Sequence, residues 1–406
     1  VKYLKVRGSY GEVGNDQIGG DRFLYLPSSY GAASDSGVNK YNFGLASNPY
    51  TSLMIVENKI GNPDLTWEKA KKMNVGVDIN LFNNCLTASF DIFKEKRNNI
   101  LANRSTSPMI IGANLPAYNF GEMENRGWEM DLNFRHHIQD FHYWARFNYS
   151  FARNEIIYMD EVQKRYDYQM TTGRRKNQFF GLIFDGYYNS WEEINALDRP
   201  KSSWSGNQLQ PGDVKYVDVN QDGVIDDYDM VPIGYTPVPE IIYGFSFGAQ
   251  YKGFDFSILF QGADNVSIKY FGRSMWPFAK GEESAKSLIK ERWTQERYEA
   301  GEKITFPRLS LNPNGETDHN YRPSTLWIRD ASYLRLKNLE VGYTFTGGFV
   351  KRLNLNSVRL YFNGSNLFTW TDVVDLDPEA PSRSGNVEIN TYPLQKVYNI
   401  GLNINF

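Results

Sequence analysis

The chain has 406 residues, 41% of them hydrophobic and 15% aromatic, with 34 glycines, 27 tyrosines and 26 phenylalanines. Its net charge of -3 argues against a nucleic-acid binder, which would show a basic patch or stripe, and a single cysteine, Cys85, excludes an intrachain disulfide framework. No run approaches the roughly 18 uninterrupted apolar residues of a membrane helix, but a membrane barrel stays open, because its strands alternate and average out as polar.

The chain opens on Val1-Lys2-Tyr3 with no signal-peptide pattern. A mature, truncated chain or the C-terminal part of a longer one is therefore expected. Leu4, Val6, Gly8 and Tyr10 then alternate with Lys5, Arg7 and Ser9. Successive strand side chains point to opposite faces, so this is a first strand with one apolar and one polar face. After an irregular stretch, Met73 to Leu81 alternates, turns at Asn83-Asn84, and returns through Leu86, Ala88, Phe90 and Ile92 as a hairpin. Trp128 to Phe134 and Tyr143 to Phe151 flank a polar turn at His136 to Asp140. Ile241 to Ala249 and Phe254 to Phe260 flank Lys252-Gly253. Leu339 to Phe345 follows, with its phase broken around Leu334 to Lys337, which predicts a bulge. Val358, Leu360, Phe362, Phe368 and Trp370 form one face of the next strand. In the last strand Tyr398, Ile400, Leu402, Ile404 and Phe406 alternate with Asn399, Gly401, Asn403 and Asn405.

Short connections alternate with long ones along the whole chain. A transmembrane antiparallel β-barrel does this, with short periplasmic turns and long extracellular loops, and the sorting gives about ten spanning strands. Tyr10, Trp128, Trp144, Tyr251 and Trp370 at strand ends fit aromatic girdles at the interfaces. Two long extracellular loops are expected, 155–239 and 265–331. The strand-like run Phe179 to Tyr188 belongs in the first, because spanning would break the alternation. The second is expected to hold one helix, Ser284 to Tyr298. Asp78, Asp91, Glu129, Asp131, Asp255 and Glu340 face inward, as in a hydrated lumen with paired charges.

The first loop carries Asp218, Asn220, Asp222, Gly223, Val224, Asp226 and Asp229 at the spacing of a calcium loop. Oxygens stand at positions 1, 3 and 5, a glycine at 6, a backbone carbonyl at 7 and acids at 9 and 12. A structural calcium or magnesium ion held by Asp218, Asn220, Asp222, Val224, Asp226 and Asp229 is expected, although aspartate replaces the usual glutamate at the last position. Trp191, Trp204, Trp276 and Tyr321 are the loop aromatics that could stack on a substrate. No catalytic constellation stands out. His136, His137 and His142 read as a polar turn, and His319 stands apart.

Several phrases resemble the SusC family of TonB-dependent outer-membrane transporters of Bacteroidetes-type bacteria. They are LKVRGSYGEVGN from Leu4, NPDLTWEK from Asn62, NRGWEMDLNF from Asn125, GDVKYVDVNQDGVID from Gly212, PEIIYGFSFGAQYKGFDFSILFQ from Pro239, WIRDASYLRLKNLEVGYTF from Trp327, VRLYFNGSNLFTWT from Val358, and the last strand. The resemblance covers the whole chain in order. It implies the C-terminal portion, about ten strands, of a 22-stranded barrel in the outer membrane, with outer-membrane lipid around it. It implies a plug, a TonB box and first strands that this chain lacks, energising through the TonB complex, and a SusD-like lipoprotein lid. It also makes Tyr398, Ile400, Leu402, Ile404 and Phe406 the barrel-assembly signal. A half-barrel leaves two raw edges, so the remaining strands and plug are expected in a longer polypeptide or a companion chain. The expected function is import of a large nutrient, a glycan or an oligopeptide. Alternatives are a non-transporting barrel for surface binding or adhesion, an outer-membrane hydrolase at the barrel rim, for which the loops show no acid/base or nucleophile cluster, and a soluble calcium-stabilised β protein.

Overall fold

The computed structural model describes residues 1–16, 24–26, 31–32, 40–45, 49–56, 60–106, 115–204, 208–270, 276–278, 287–310, 318–374, 376–379, 386–387 and 394–406. Ten long strands make one antiparallel sheet in chain order. They are β1 (Tyr3–Asn15), β2 (Glu68–Leu81), β3 (Leu86–Ala102), β4 (Tyr118–Ile138), β5 (Phe141–Tyr158), β6 (Ile241–Tyr251), β7 (Phe254–Asp264), β8 (Tyr333–Phe345), β9 (Ser357–Thr371) and β10 (Val397–Asn405). The sheet does not close on itself; β1 and β10 are its two edges.

The register turns the alternation of single strands into two continuous faces. Val6, Val77, Phe90, Met130, Tyr149 and Tyr243 stand side by side across six strands. One residue further along β1 the row reads Arg7, Gly76, Asp91, Glu129 and Ser150. The apolar face runs on to the last strand, where Val358 pairs with Ile404, Leu360 with Leu402 and Phe362 with Ile400. Tyr398, Ile400, Leu402, Ile404 and Phe406 are all exposed, Ile400 by 80%. A contiguous exposed apolar band of this extent is the surface that a barrel presents to lipid.

The faces predict opposite responses to charge. Phe247→Arg on the apolar face of β6 is expected to cost about 2–4 kcal/mol of stability in a bilayer. Ser257→Arg on the polar face of β7, cross-strand from Glu340, is expected to cost about 1 kcal/mol or less. Reversible unfolding in lipid vesicles compares the two; equal costs would contradict the assignment of faces.

Turn chemistry sets the short edge. Asn83 and Asn84 (φ 54° and 68°) and Lys252 and Gly253 (φ 44° and 89°) take the left-handed conformation that tight hairpins need. The β8–β9 connection instead contains a short helix, Gly348–Arg352. The bulge falls where the phase breaks: Leu336 and Asn338 pair with Phe368 and Ser365, and the register shifts between them at Lys337. Two expectations need correction. Trp144 lies on the polar face, where its ring covers Gly248 directly cross-strand, so it is not part of a lipid-side girdle. The strands are also longer than their alternation. At 21 residues, β4 runs well past the ~9–11 that span a bilayer. Beyond the lipid there is no demand for alternation, so its upper half reads as irregular.

At the other edge the long connections fold together. Leu182, Val214, Tyr216 and Ile225 from the β5–β6 connection pack with Ile268, Tyr270, Trp293, Phe306, Tyr321 and Trp327 from the β7–β8 connection, and with Val373 from the β9–β10 connection. The run Phe179 to Tyr188 stays out of the large sheet. Phe180–Gly181 and Phe184–Tyr187 pair instead with Val231–Pro232 and Val214–Tyr216 inside this cap. The single helix expected over Ser284 to Tyr298 is not formed. Residues 284–286 lie outside the described residues, Ser287–Glu291 is a 3-10 turn, and only Gln295–Glu299 is α-helical. The Thr294 side chain caps that helix by accepting from Arg297 N, so a new helix starts where one continuous helix was expected.

Candidate functional site

The cap holds a polar network inside its apolar core. Asp213 is buried, pairs with Arg308 at 2.5 Å, and accepts from Asn320 Nδ2 at 2.8 Å. Asn320 in turn accepts from Val214 N at 2.9 Å. The Val214 carbonyl can only accept, so His319 Nε2, 2.8 Å away, carries the proton, and Nδ1 accepts from the Ser202 hydroxyl at 2.9 Å. Burial pushes the His319 pKa below its usual value and keeps the ring neutral. Tyr216 donates to the His319 carbonyl and Trp327 to that of Asn320. Gly212, at φ 93°, fits because its missing side chain leaves room for the Trp293 ring. Buried polar networks of this kind fix one arrangement of a loop.

This packing decides among the aromatic candidates. Tyr321 is only 3% exposed, flanked by Phe306 and Trp327, and has no surface to offer a ligand. Trp276 packs on the same core, 6.2 Å from the Tyr321 ring. Trp204 is covered by the Arg322 guanidinium at 4.1 Å. Trp191 begins the short helix Trp191–Ile194 and is 55% exposed. The four do not converge on one surface, because three of them build the cap core.

In the 218–229 loop most oxygens are engaged by the loop's own amides. Asp218 Oδ2 accepts from Gly223 N, Asn220 Oδ1 from Asp222 N, and Asp222 Oδ1 from Val224 N. Asp226 and Asp229 form a capping box on the 3-10 turn Asp227–Asp229. The buried Asp229 carboxylate also accepts from Val219 N and Asn220 N. Burial raises its pKa above the usual carboxylate range, and the neighbouring Asp218 charge adds to that, against the lowering by these amides. Asp226 and Asp229 thus close the turn through these hydrogen bonds. Among the described residues no three His, Cys, Asp or Glu side chains gather at metal-binding distance. One atom is left over: Asp218 Oδ1 is buried without a hydrogen-bond partner.

On the polar face of the sheet several arginines bind acids across strands, among them Arg7, Arg359 and Arg335. Arg7 bridges Asp78 at 3.0 Å and Asp91 at 2.7 Å across Gly76, whose missing side chain makes room for the guanidinium. Arg359 binds Asp255 and Glu340 and stacks on Tyr361. The Arg335 cluster has no sequence signal beyond a cation beside a bulge. Arg335, 2% exposed, donates to Glu379 at 2.5 Å, Asp377 at 2.7 Å and Thr369 at 3.0 Å. Tyr333 and Gln261 also donate to Glu379. Residues 376–379 of the last long connection are thereby strapped onto the polar wall, which identifies that face as the interior.

Residues 2–367 match the family described as TonB dependent receptor-like, beta-barrel. TonB-dependent receptor P3 of Formosa agariphila is 28% identical over 421 residues, covering 99% of this chain and 39% of the relative. TonB-dependent receptor SusC of Bacteroides thetaiotaomicron is 26% identical over 409 residues, covering 99% of this chain and 37% of SusC. The chain therefore spans about two fifths of the length of these relatives. The RagAB peptide importer in its open-open state superposes with a TM-score of 0.71 at 22% identity, covering 99% of this chain and 40% of that one, and shares the fold. With the lipid-type band and the charged interior, these matches place the chain in the outer membrane as a β-barrel segment, and it belongs to the TonB-dependent receptor family.

Proposed function

We propose that this chain forms part of the wall and the extracellular cap of an importer. It carries a large nutrient, a glycan or an oligopeptide, across the outer membrane, energised through TonB and working beneath a SusD-like surface lipoprotein. The family match over a sheet with a charged, ion-paired interior is the observation that carries this reading. The names of the relatives support it: one is SusC, and the RagAB neighbour is described as a peptide importer. The folded cap adds a rigid outer surface against which a lid can seat. Deleting the gene is expected to abolish uptake of fluorescent oligopeptides or oligosaccharides, and a protonophore is expected to do the same in the parent strain. Unchanged uptake in both cases, with loss of surface attachment, would favour an adhesin.

We further propose that the 218–229 loop takes one divalent cation, calcium or magnesium, as a structural staple. Its ligands are Asp218, Asn220, Asp222, the Val224 carbonyl, Asp226 and Asp229, the last two also closing the turn. The unpartnered Asp218 Oδ1 supports this, and each engaged oxygen keeps a lone pair for a cation. Millimolar calcium is expected to slow proteolysis of the cap, and Asp218→Asn to abolish that protection. Identical proteolysis with calcium and with chelator would rule the site out.

A further inference from the structure

On the apolar face the sheet changes character within one row. Ile92, Trp128 and Phe151 lie directly cross-strand on β3, β4 and β5. The next row up on that face is Lys94, Arg126 and Arg153. Like charges directly opposite one another destabilise a sheet unless anions are shared among them. Glu124 takes Lys94 at 2.9 Å, whereas Arg126 has Glu155 only at 3.9 Å and remains exposed. The Arg153 guanidinium rests over the Phe151 ring at 5.4 Å, at the upper margin of the band.

The connection after β5 doubles back beside this row. Gly173 N donates to the Ile156 carbonyl at 2.7 Å and Ile156 N to that of Arg174 at 2.8 Å. The result is a cleft of about 400 Å³ lined by Arg126, Arg153, Arg174 and Arg175, with Glu155 the one acid among its lining residues. Next to it the buried Glu240 binds both Arg153, at 2.8 Å, and Arg175. One buried carboxylate thus orients two guanidinium groups. Four arginines face two carboxylates, which leaves positive charge in excess. Arg126, Arg153 and Glu155 alternate in step with Trp128, Tyr149 and Phe151, which sets these three lining residues on the lipid-side face of the sheet.

We infer that this cleft binds the phosphate of an outer-leaflet glycolipid headgroup. Planar guanidinium forks match phosphate oxygens, and a bound phosphate supplies counter-charge to the four arginines of the cleft, which share only Glu155 and Glu240. The depth selects a lipid over a soluble anion. Headgroup phosphates lie just above the aromatic belt of a barrel, where this row stands, and a nutrient passing through the interior never meets it.

The test uses the protein purified from outer membranes and placed in phosphatidylcholine nanodiscs. Binding of diphosphoryl lipid A is compared with that of its dephosphorylated form. Arg126→Gln with Arg174→Gln leaves the Arg153–Glu240–Arg175 cluster intact and is expected to weaken binding of the phosphorylated form about tenfold. Lysine at both positions is expected to restore much of it, and Arg146→Gln on the interior face to change nothing. Heat-modifiable migration on gels confirms that each variant barrel is folded. Millimolar inorganic phosphate is expected not to compete. Equal binding of both lipid forms, equal binding by the folded double variant, or full competition by inorganic phosphate would each overturn the inference.

Discussion

Replacing Arg335 with methionine is expected to lower the stability of the folded protein by about 3–5 kcal/mol, the usual cost of removing one partner from a buried ion cluster. The substitution keeps the bulk of the side chain but leaves Asp377 and Glu379 without their cation. The Thr369 hydroxyl loses its donor as well. Lysine is not an equivalent replacement, since it cannot serve Asp377, Glu379 and Thr369 from one planar group. The effect depends on pH with a definite sign. Burial raises the Asp377 pKa, but hydrogen bonds from Arg335 and from the amides of Glu379 and Leu394 outweigh it and hold the pKa below the usual value. A carboxylate with a lowered folded pKa stabilises fully above its unfolded pKa, and the contribution fades as pH falls through the folded value. The gap between wild type and Arg335→Met should therefore be widest near neutral pH and should narrow below about pH 4. Urea unfolding in detergent, followed by tryptophan fluorescence at several pH values, measures it. A gap that is small at neutral pH, or that grows on acidification, would show that the strap does not depend on this cluster.

Trp327→Ala is expected to remove about 3–5 kcal/mol from the cap while leaving the barrel wall folded. The indole is 2% exposed, packs against Phe306 at 5.4 Å and Tyr321 at 5.3 Å, and donates to the Asn320 carbonyl. Its loss opens a cavity at the centre of the cap and frees the 3-10 turn His319–Tyr321 that the polar network fastens. Limited proteolysis should then cut within 159–240 or 265–332, while heat-modifiable migration, which reports the barrel, stays unchanged. Simultaneous loss of both would mean that cap and wall fold as one unit.

The wall was legible in the sequence because lipid imposes a period of two, and Tyr243, Phe245 and Phe247 can satisfy it in only one register. Turn residues such as Asn83-Asn84 and Lys252-Gly253 carried their own conformational signal. Trp144 misled because an aromatic residue at a strand end resembles a girdle, although its position in the alternation already set it on the polar face. The cap was not legible, because its contacts join residues far apart in sequence. Trp293 Nε1 bonds Asn189, 104 positions away, and Tyr216 reaches His319 across 103. No local pattern encodes such pairings, so Tyr321 read as a surface aromatic and His319 as a stray histidine. In the 218–229 loop the spacing of oxygens was visible, but not that Asp226 and Asp229 would also close the turn. Arg335 was hidden for a related reason: the bulge at Lys337 shifts the phase, and the acids that meet Arg335 lie 42 and 44 positions further on.

The central claim is that one face of this sheet meets lipid and the other an aqueous interior. Nitroxide labels placed one at a time from Tyr243 to Ala249 on β6, in protein with Cys85 replaced by serine and kept in outer-membrane lipid, test it most directly. Labels at Tyr243, Phe245, Phe247 and Ala249 should collide with dissolved oxygen, and those at Gly244 and Ser246 with a water-soluble relaxant, in strict alternation. Uniform access of the water-soluble reagent to both sets would contradict the account.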